Sequence, residues 1–133
     1  MNPLQKEIQS CLTRFEVSAT GALTATFRFP ETFIGFQGHF PQQPVLPGIC
    51  KMQAALLLCA RRKGAPVRLR EVIRAKFMAP AFSGETLVFT GTETPGAADD
   101  FHFKVHVTRA GQPIARIDLR AHCVADEENG RSV

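Results

Sequence analysis

A histidine set between glycine and proline, shortly ahead of a helix start, is the feature of this sequence most open to a chemical reading. The segment is Gly38-His39-Phe40-Pro41-Gln42-Gln43-Pro44-Val45-Leu46-Pro47-Gly48. Imidazole titrates nearest neutrality, so His39 can take up and return a proton at cellular pH. The first N–H groups of a helix have no partner inside it, and Gly48 can turn one toward an oxygen that gains negative charge. Lacking a side chain, Gly48 also lets a carbonyl come close. A base and an amide donor together are what removal of a proton beside a thioester carbonyl requires. A loop histidine that is merely hydrogen-bonded is the plainer alternative.

Those two groups need a rigid frame, and the flanking pattern supplies one. Pro47-Gly48 opens a helix, because proline suits a first turn where its missing N–H has no use. The helix runs through ICKMQAALLLCARRK and stops at Gly64, with Arg61, Arg62 and Lys63 complementing the dipole in its last turn. From Ile49 to Ala60 only Lys51 and Gln53 are not apolar, which predicts a helix buried nearly all round. Residues 30–48 are dense in Pro, Gly and Gln and form a loop with one helical turn at most; long loops inside compact domains are usually functional.

Elsewhere the period is two. Leu23, Ala25, Phe27 and Phe29 alternate with Thr24, Thr26 and Arg28, giving a half-buried strand that ends at Pro30. The less regular run Ile8 to Val17 reads as a strand before it, with a turn at Ala19-Thr20-Gly21. Further strands follow over Val67–Ala79 and Thr86–Thr94. In the next, Phe101, Phe103, Val105 and Val107 face inward; the last carries Ala115, Ile117, Leu119, Ala121 and Cys123 on its dry face. His102, His106 and His122 fall on the wet faces, where their spacing fits either a metal or a plain polar surface. The fold class is α+β: an antiparallel sheet of five or six strands wrapped around one central helix. One small curved sheet leaves its edges and part of the helix uncovered, so a symmetric dimer is expected.

With 133 residues, 44% apolar and net charge +4, residues 1–125 make one domain, followed by a polar, frayed tail over 126–133. Disorder is excluded by this composition. The longest apolar run is far short of a membrane span, and MNPLQKEIQS lacks the apolar centre of a secretion signal. Cysteines 11, 50, 59 and 123 form no C-x-x-C pair; reduced thiols in a cytoplasmic protein are the simplest reading. All eleven aromatic residues are Phe, which suits an apolar interior better than a base-stacking nucleic-acid surface. Between Arg61 and Lys76 seven basic residues face Glu71 alone. That stretch is either a solvated face or a seat for an acidic partner.

The segment GHFPQQPVLPG resembles the active-site signature G-H-F-P-x-x-P-V-x-P-G of the hotdog-fold (3R)-hydroxyacyl-[acyl-carrier-protein] dehydratases of fatty acid synthesis. Ala75-Lys76-Phe77-Met78-Ala79-Pro80 with Ser83-Gly84-Glu85 resembles a second segment of that family, A-K-F-x-x-P…P-G-D. The resemblance spans residues 30 to 125 and implies a hotdog fold assembled as dimers or trimers of dimers. It implies that His39 removes the α-proton and that the Gly48 N–H polarises the thioester carbonyl. Phe40 and Pro41 would shape the loop, and together with Phe36, Leu46, Met52 and Phe77 would line the acyl site. Arg61, Arg62, Lys63 and Lys76 would receive an acidic acyl carrier protein, and no metal or cofactor is needed.

The sequence departs from the family at one position. Its second catalytic residue is a carboxylic acid fourteen residues after the histidine, acting across the dimer interface, and here that residue is Gln53. An amide can hold a hydroxyl but has no proton to give at a useful pKa. Glu31 is close in sequence and could approach the site. Three readings follow: a dehydratase in which His39 handles both protons while Gln53 orients the hydroxyl; one half of a heterodimer with an acidic-site paralogue; or an acyl-thioester-binding protein or hotdog thioesterase. The stretch FIGFQGHFP is also similar to variant dehydratases of aryl-polyene-type lipid pathways, where paired dehydratase subunits occur. Gln53 can alternatively be a structural amide bonded to a loop carbonyl. Cys50, in the first helical turn, can be a nucleophile or, more simply, part of the core.

Overall fold

The computed structural model describes residues 2–36, 45–96 and 99–124. Within them the chain runs α1 (Pro3–Ser10), β1 (Leu12–Val17), β2 (Leu23–Arg28), a 3-10 turn (Ile34–Phe36), α2 (Gly48–Lys63), β3 (Val67–Phe77), β4 (Thr86–Pro95), β5 (Phe101–Arg109) and β6 (Gln112–Cys123). The strands form one antiparallel sheet in the order β1-β2-β4-β5-β6-β3. His39, Phe40 and Pro41, and the tail from residue 126, lie outside the described residues.

The period-two patterns become register. Phe103 of β5 stands opposite Leu119 of β6, and Val105 opposite Ile117, all four at 1% exposure or less. Across the sheet, Phe27 meets Phe89 edge to face with ring centroids 4.9 Å apart, and Phe29 and Phe33 continue the cluster at 4.8 Å. Such pairs add to the area they bury. The expected sheet wrapped on a helix is therefore present, with six strands among the described residues.

Helix α2 starts and stops where expected. Pro47 precedes it in an extended conformation, with no side chain capping the first turn. Gly64 closes it in the left-handed region at φ 71°, donating its N–H to the carbonyls of Ala60 and Arg61. A residue with a Cβ would be strained at that φ.

Three expectations need correction. Residues 8–10 are not strand: Ile8 belongs to helix α1, which begins with a reciprocal cap between Asn2 and Gln5 and has Pro3 in its first turn. Ile8 is fully buried, and the chain becomes a strand only at Leu12. Secondly, α2 is not buried all round. Cys50, Lys51, Ala54, Ala55, Leu58 and Cys59 form the buried stripe, whereas Met52, Gln53, Leu56 and Leu57 are half-buried and Ile49 is 54% exposed. A single curved sheet and one short helix cannot enclose a cylinder. No helix among the described residues is long and apolar enough to cross a membrane.

Strand β3 is the long edge of the sheet, and from Arg70 to Met78 every residue is exposed. Val72, Ile73, Phe77 and Met78 there, and Ile49 on α2, are the large apolar side chains left facing solvent, together with Val17 on the opposite edge strand. A third correction concerns His122. It is 4% exposed because the outer face of β6 is crowded at that point: Arg68 stands opposite it in register, and Asp100 lies nearby, held by the Arg120 guanidinium. His106 is exposed and His102 half-buried, as the alternation requires.

Candidate active site

The residues leading into α2 are pinned. Leu46 donates its N–H to the Ala81 carbonyl at 2.7 Å and is 2% exposed, while Val45 bridges to Phe82. This fixes where the helix begins. Gly48 is its first residue; the N–H of Cys50 donates to the Pro47 carbonyl at 3.1 Å, and among the described residues no side chain caps the N–H groups of Gly48 and Ile49 ahead of it.

The close approach at Gly48 is by protein rather than by open space. A methyl group there would stand 2.9 Å from two carbons of the Phe77 ring, which is 45% exposed. Glycine thus lets Phe77 lie directly over the helix start. The same ring covers Lys51, whose Nζ is 5.2 Å from the ring centroid. Lys51 itself is 3% exposed, and its Nζ donates to the Leu46 carbonyl at 3.4 Å. Burial pulls this amine below its ordinary value of 10.5, a neighbouring Cys50 acting weakly the other way. Leu46, Gly48, Lys51 and Phe77 therefore converge at one end of α2.

Gln53 does not join them. It follows Gly48 by five residues, about 140° further round a helix that turns about 100° per residue. There it accepts a hydrogen bond from Nε2 of Gln5 onto its Oε1 at 3.4 Å. Both glutamines line an open cavity of about 700 Å³, with Gln9 and Arg61 at its polar side and Leu56, Leu57 and Val67 at its apolar side. Met52 is half-buried against the core. Phe36 is 5% exposed and packs edge to face on Phe33 at 5.6 Å, beside the Gly35 backbone, where an added Cβ would lie 2.9 Å from the Cys50 sulfur. The candidate residues thus divide into two groups on different sides of α2.

Sequence reasoning passed over Gln5, Gln9 and the burial of Lys51. The signal for the glutamines was the Asn2-Pro3-Leu4-Gln5 start, a capping pattern that predicts a helix rather than a strand. Cys50 is buried, and that burial pushes its thiol up, with Lys51 only partly offsetting it. A raised thiol is a poor nucleophile at neutral pH.

The basic residues at the end of α2 are largely engaged. Arg62 donates to the Gly21 carbonyl at 2.8 Å and to Glu93 at 3.2 Å. Lys63 donates to Glu93 at 2.8 Å and lies 4.2 Å over the Phe101 ring. Arg61 is exposed, with its guanidinium 5.2 Å over Phe15. Lys76 is exposed on β3, opposite Arg116 in register.

Residues 16–117 match a family model described as ApeI-like, ApeI dehydratase. The chain is 28% identical over 122 residues to the 3-hydroxyacyl-[acyl-carrier-protein] dehydratase FabZ of Brucella ovis, covering 86% of this chain and 75% of that protein. Among solved structures it is similar to the dehydratase heterocomplex ApeI:P from Xenorhabdus doucetiae, with TM-score 0.68 and 19% identity over 84% of this chain and 96% of that one. It also resembles the PaaI protein of E. coli, from the phenylacetic acid degradation operon, with TM-score 0.62 and 13% identity over 90% and 92%. At such identities the structural likeness speaks for the fold, which is the hotdog.

Proposed function

Because the chain belongs to the ApeI-like dehydratase family, we propose that it removes water from a 3-hydroxyacyl thioester to give the trans-2-enoyl thioester. In this reading His39 takes the proton from C2, and charge gathers on the thioester oxygen opposite the Gly48 N–H. The C3–O bond then breaks, and the hydroxyl leaves as water with the proton returned by the imidazolium. The observation that carries the reading is the uncapped start of α2 at Gly48, nine residues after His39 in a G-H-F-P segment.

The position of Gln53 bears on how the site is completed. Since it faces another side of α2 from Gly48, a productive site takes Gln53 from a second subunit, where the amide holds the substrate hydroxyl without protonating it. The exposed apolar edge formed by Ile49, Val72, Ile73, Phe77 and Met78 supports β3 as the surface on which that subunit packs. Absence of a general acid typically costs on the order of 10²–10⁴ in rate. For that reason a second reading stands beside the first: this chain is one half of a hetero-oligomer whose partner brings a carboxylic acid. The likeness to a dehydratase heterocomplex is compatible with it.

The substrate is best carried by acyl carrier protein, an acidic partner, as the FabZ relative's name states for that protein. Arg61 and Lys76 are the exposed cations for it, whereas Arg62 and Lys63 share Glu93. Incubation of the purified chain with a 3-hydroxybutyryl or crotonyl thioester tests both readings. Turnover that is lost in His39→Ala supports the enzyme acting alone. Silence of the wild type, relieved by Gln53→Glu or by a co-expressed acidic-site paralogue, supports the subunit reading. Turnover untouched by His39→Ala sinks both.

A further inference from the structure

We infer that Lys51 is part of the oxyanion site: its ammonium, buried beneath Phe77 beside the uncapped start of α2, stabilises negative charge on the substrate's thioester oxygen. The inference rests on the dehydratase reading and adds to it a residue that neither the G-H-F-P segment nor position 53 contains.

The argument begins with a misplaced charge. A lysine in the first turn sits at the positive end of the helix dipole, where cations are disfavoured. The first turn of α2 carries no acidic residue, and no described carboxylate forms an ion pair with Lys51. Yet it is 3% exposed. An ammonium has three donors, and among the described residues only the Leu46 carbonyl takes one, at the long distance of 3.4 Å. Burying an ammonium with one long hydrogen bond and an aromatic face as its contacts, and no described counter-ion, is costly. Such a group makes sense where an anion visits.

Geometry says where the anion would be. Lys51 follows Gly48 by three residues, about 60° short of a full turn, so both lie on one side of α2. Its Nζ reaches back to the Leu46 carbonyl, past the level of Gly48. The Phe77 ring touches the space of both residues, 2.9 Å from a Cβ on Gly48 and 5.2 Å from Nζ. One aromatic ring therefore lies against the Gly48 backbone and over the Lys51 ammonium together, and reduced contact with water there strengthens the electrostatic contacts made beside it. Among the described residues the titratable group that acts on Lys51 is Cys50, and burial raises that thiol and so disfavours the thiolate that could serve as a counter-charge. During the reaction Lys51 keeps its proton; the proton leaving C2 and the hydroxyl leaving C3 depart as water, and the charge on the oxygen is transient.

The test compares Lys51→Met and Lys51→Arg with the His39→Ala control in the thioester assay. Lys51→Met is expected to lower kcat by about 10–10²-fold, in the range of removed oxyanion donors, with KM changed by less than about threefold. Lys51→Arg should recover most of the loss. Thermal unfolding separates the role from a structural one: deletion of an unpaired buried charge should raise Tm, whereas loss of a structural contact would lower it. If Lys51→Met retains kcat while His39→Ala is inactive, Lys51 has no such role and the dehydratase reading survives. If His39→Ala is active, the dehydratase reading itself has failed. Should Lys51→Met not fold, Lys51→Gln takes its place in a binding measurement. A pantetheine nitronate, which mimics the enolate, should bind the wild type at least about tenfold tighter than Lys51→Gln while the matching neutral amide binds both alike, and equal nitronate affinities for the two proteins would overturn the inference.

Discussion

Gln5 of α1 donates from Nε2 to Oε1 of Gln53 on α2 at 3.4 Å, and this contact decides what Gln53 can offer. That bond takes one of the two lone pairs of the amide oxygen and leaves the two N–H donors of Gln53 uninvolved. The amide can therefore hold the lone pairs of a hydroxyl and polarise the C–O bond, while providing no acid.

Gln53→Glu should thus raise turnover by about 10²-fold, the usual contribution of a general acid. Gln5 would still donate to the new carboxylate and favour its ionised form, working against proton donation. The double variant Gln5→Leu with Gln53→Glu is accordingly expected to be faster at neutral pH than Gln53→Glu alone. Steady-state rates with a crotonyl thioester check the order of the three proteins. A double variant slower than the single one would mean that Gln5 positions residue 53 instead of tuning it.

Gly48→Ala separates the helix start from its chemistry. Its methyl would stand 2.9 Å from the edge of the Phe77 ring, and since that ring is 45% exposed, outward rotation into solvent would relieve the contact. Stability should then change by less than about 1 kcal/mol, a small clash being offset by the better helix propensity of alanine. Turnover should fall by at least about tenfold, because the displaced ring no longer closes the site. Thermal unfolding and kcat measured on the same preparation would show whether the two effects part.

Much of this frame was legible before any coordinates. The alternation of Phe101 to Val107 and of Ala115 to Cys123 maps onto real partners such as Phe103 and Leu119, since burial of one sheet face leaves a period of two. Pro47-Gly48 and Gly64 bracket α2 because each residue suits only one end of a helix. Helix α1 was missed because its apolar face amounts to little more than Leu4 and Ile8, and its identity resides in the Asn2–Gln5 cap. In the sequence Lys51 reads as a polar interruption in an apolar helix. Its burial depends on Phe77, twenty-six residues away in sequence, and no local pattern carries that contact. The exposure of Val72 and Ile73 was equally hidden: apolar residues on an edge strand read like core residues until the strand order is known.

That edge carries its own prediction. β3 presents Val72 and Ile73 at 37% and 48% exposure, and among the described residues no strand pairs with its outer edge. Ile73→Lys should convert an assembled species into single chains, seen as a drop in mass by light scattering or sedimentation. The single chain should lose little intrinsic stability, because an exposed side chain makes few contacts to lose. An unchanged mass would assign the assembly surface elsewhere, and turnover lost together with mass would support a site shared between subunits.

The acid limb of stability should be governed in part by Asp100. Its carboxylate binds Nη1 of Arg120 and lies 3.5 Å from Nε of Arg70. The Arg120 hydrogen bond, above all, holds it below the ordinary aspartate value of 3.8, partly opposed by desolvation. A carboxyl lowered on folding binds its proton less readily in the native state than in the unfolded chain. Its stabilisation is complete above the unfolded value and is lost as pH falls through the native one. Asp100→Asn should therefore be less stable than the wild type at pH 7, and the gap should shrink as pH falls below the ordinary aspartate value of 3.8 and close once the native aspartate is itself protonated. Urea unfolding midpoints for both proteins at pH 7, 4 and 2.5 measure this directly. A gap that stays constant with pH would assign the effect of Asp100 to its geometry and hydrogen bonds alone, with no part for its charge.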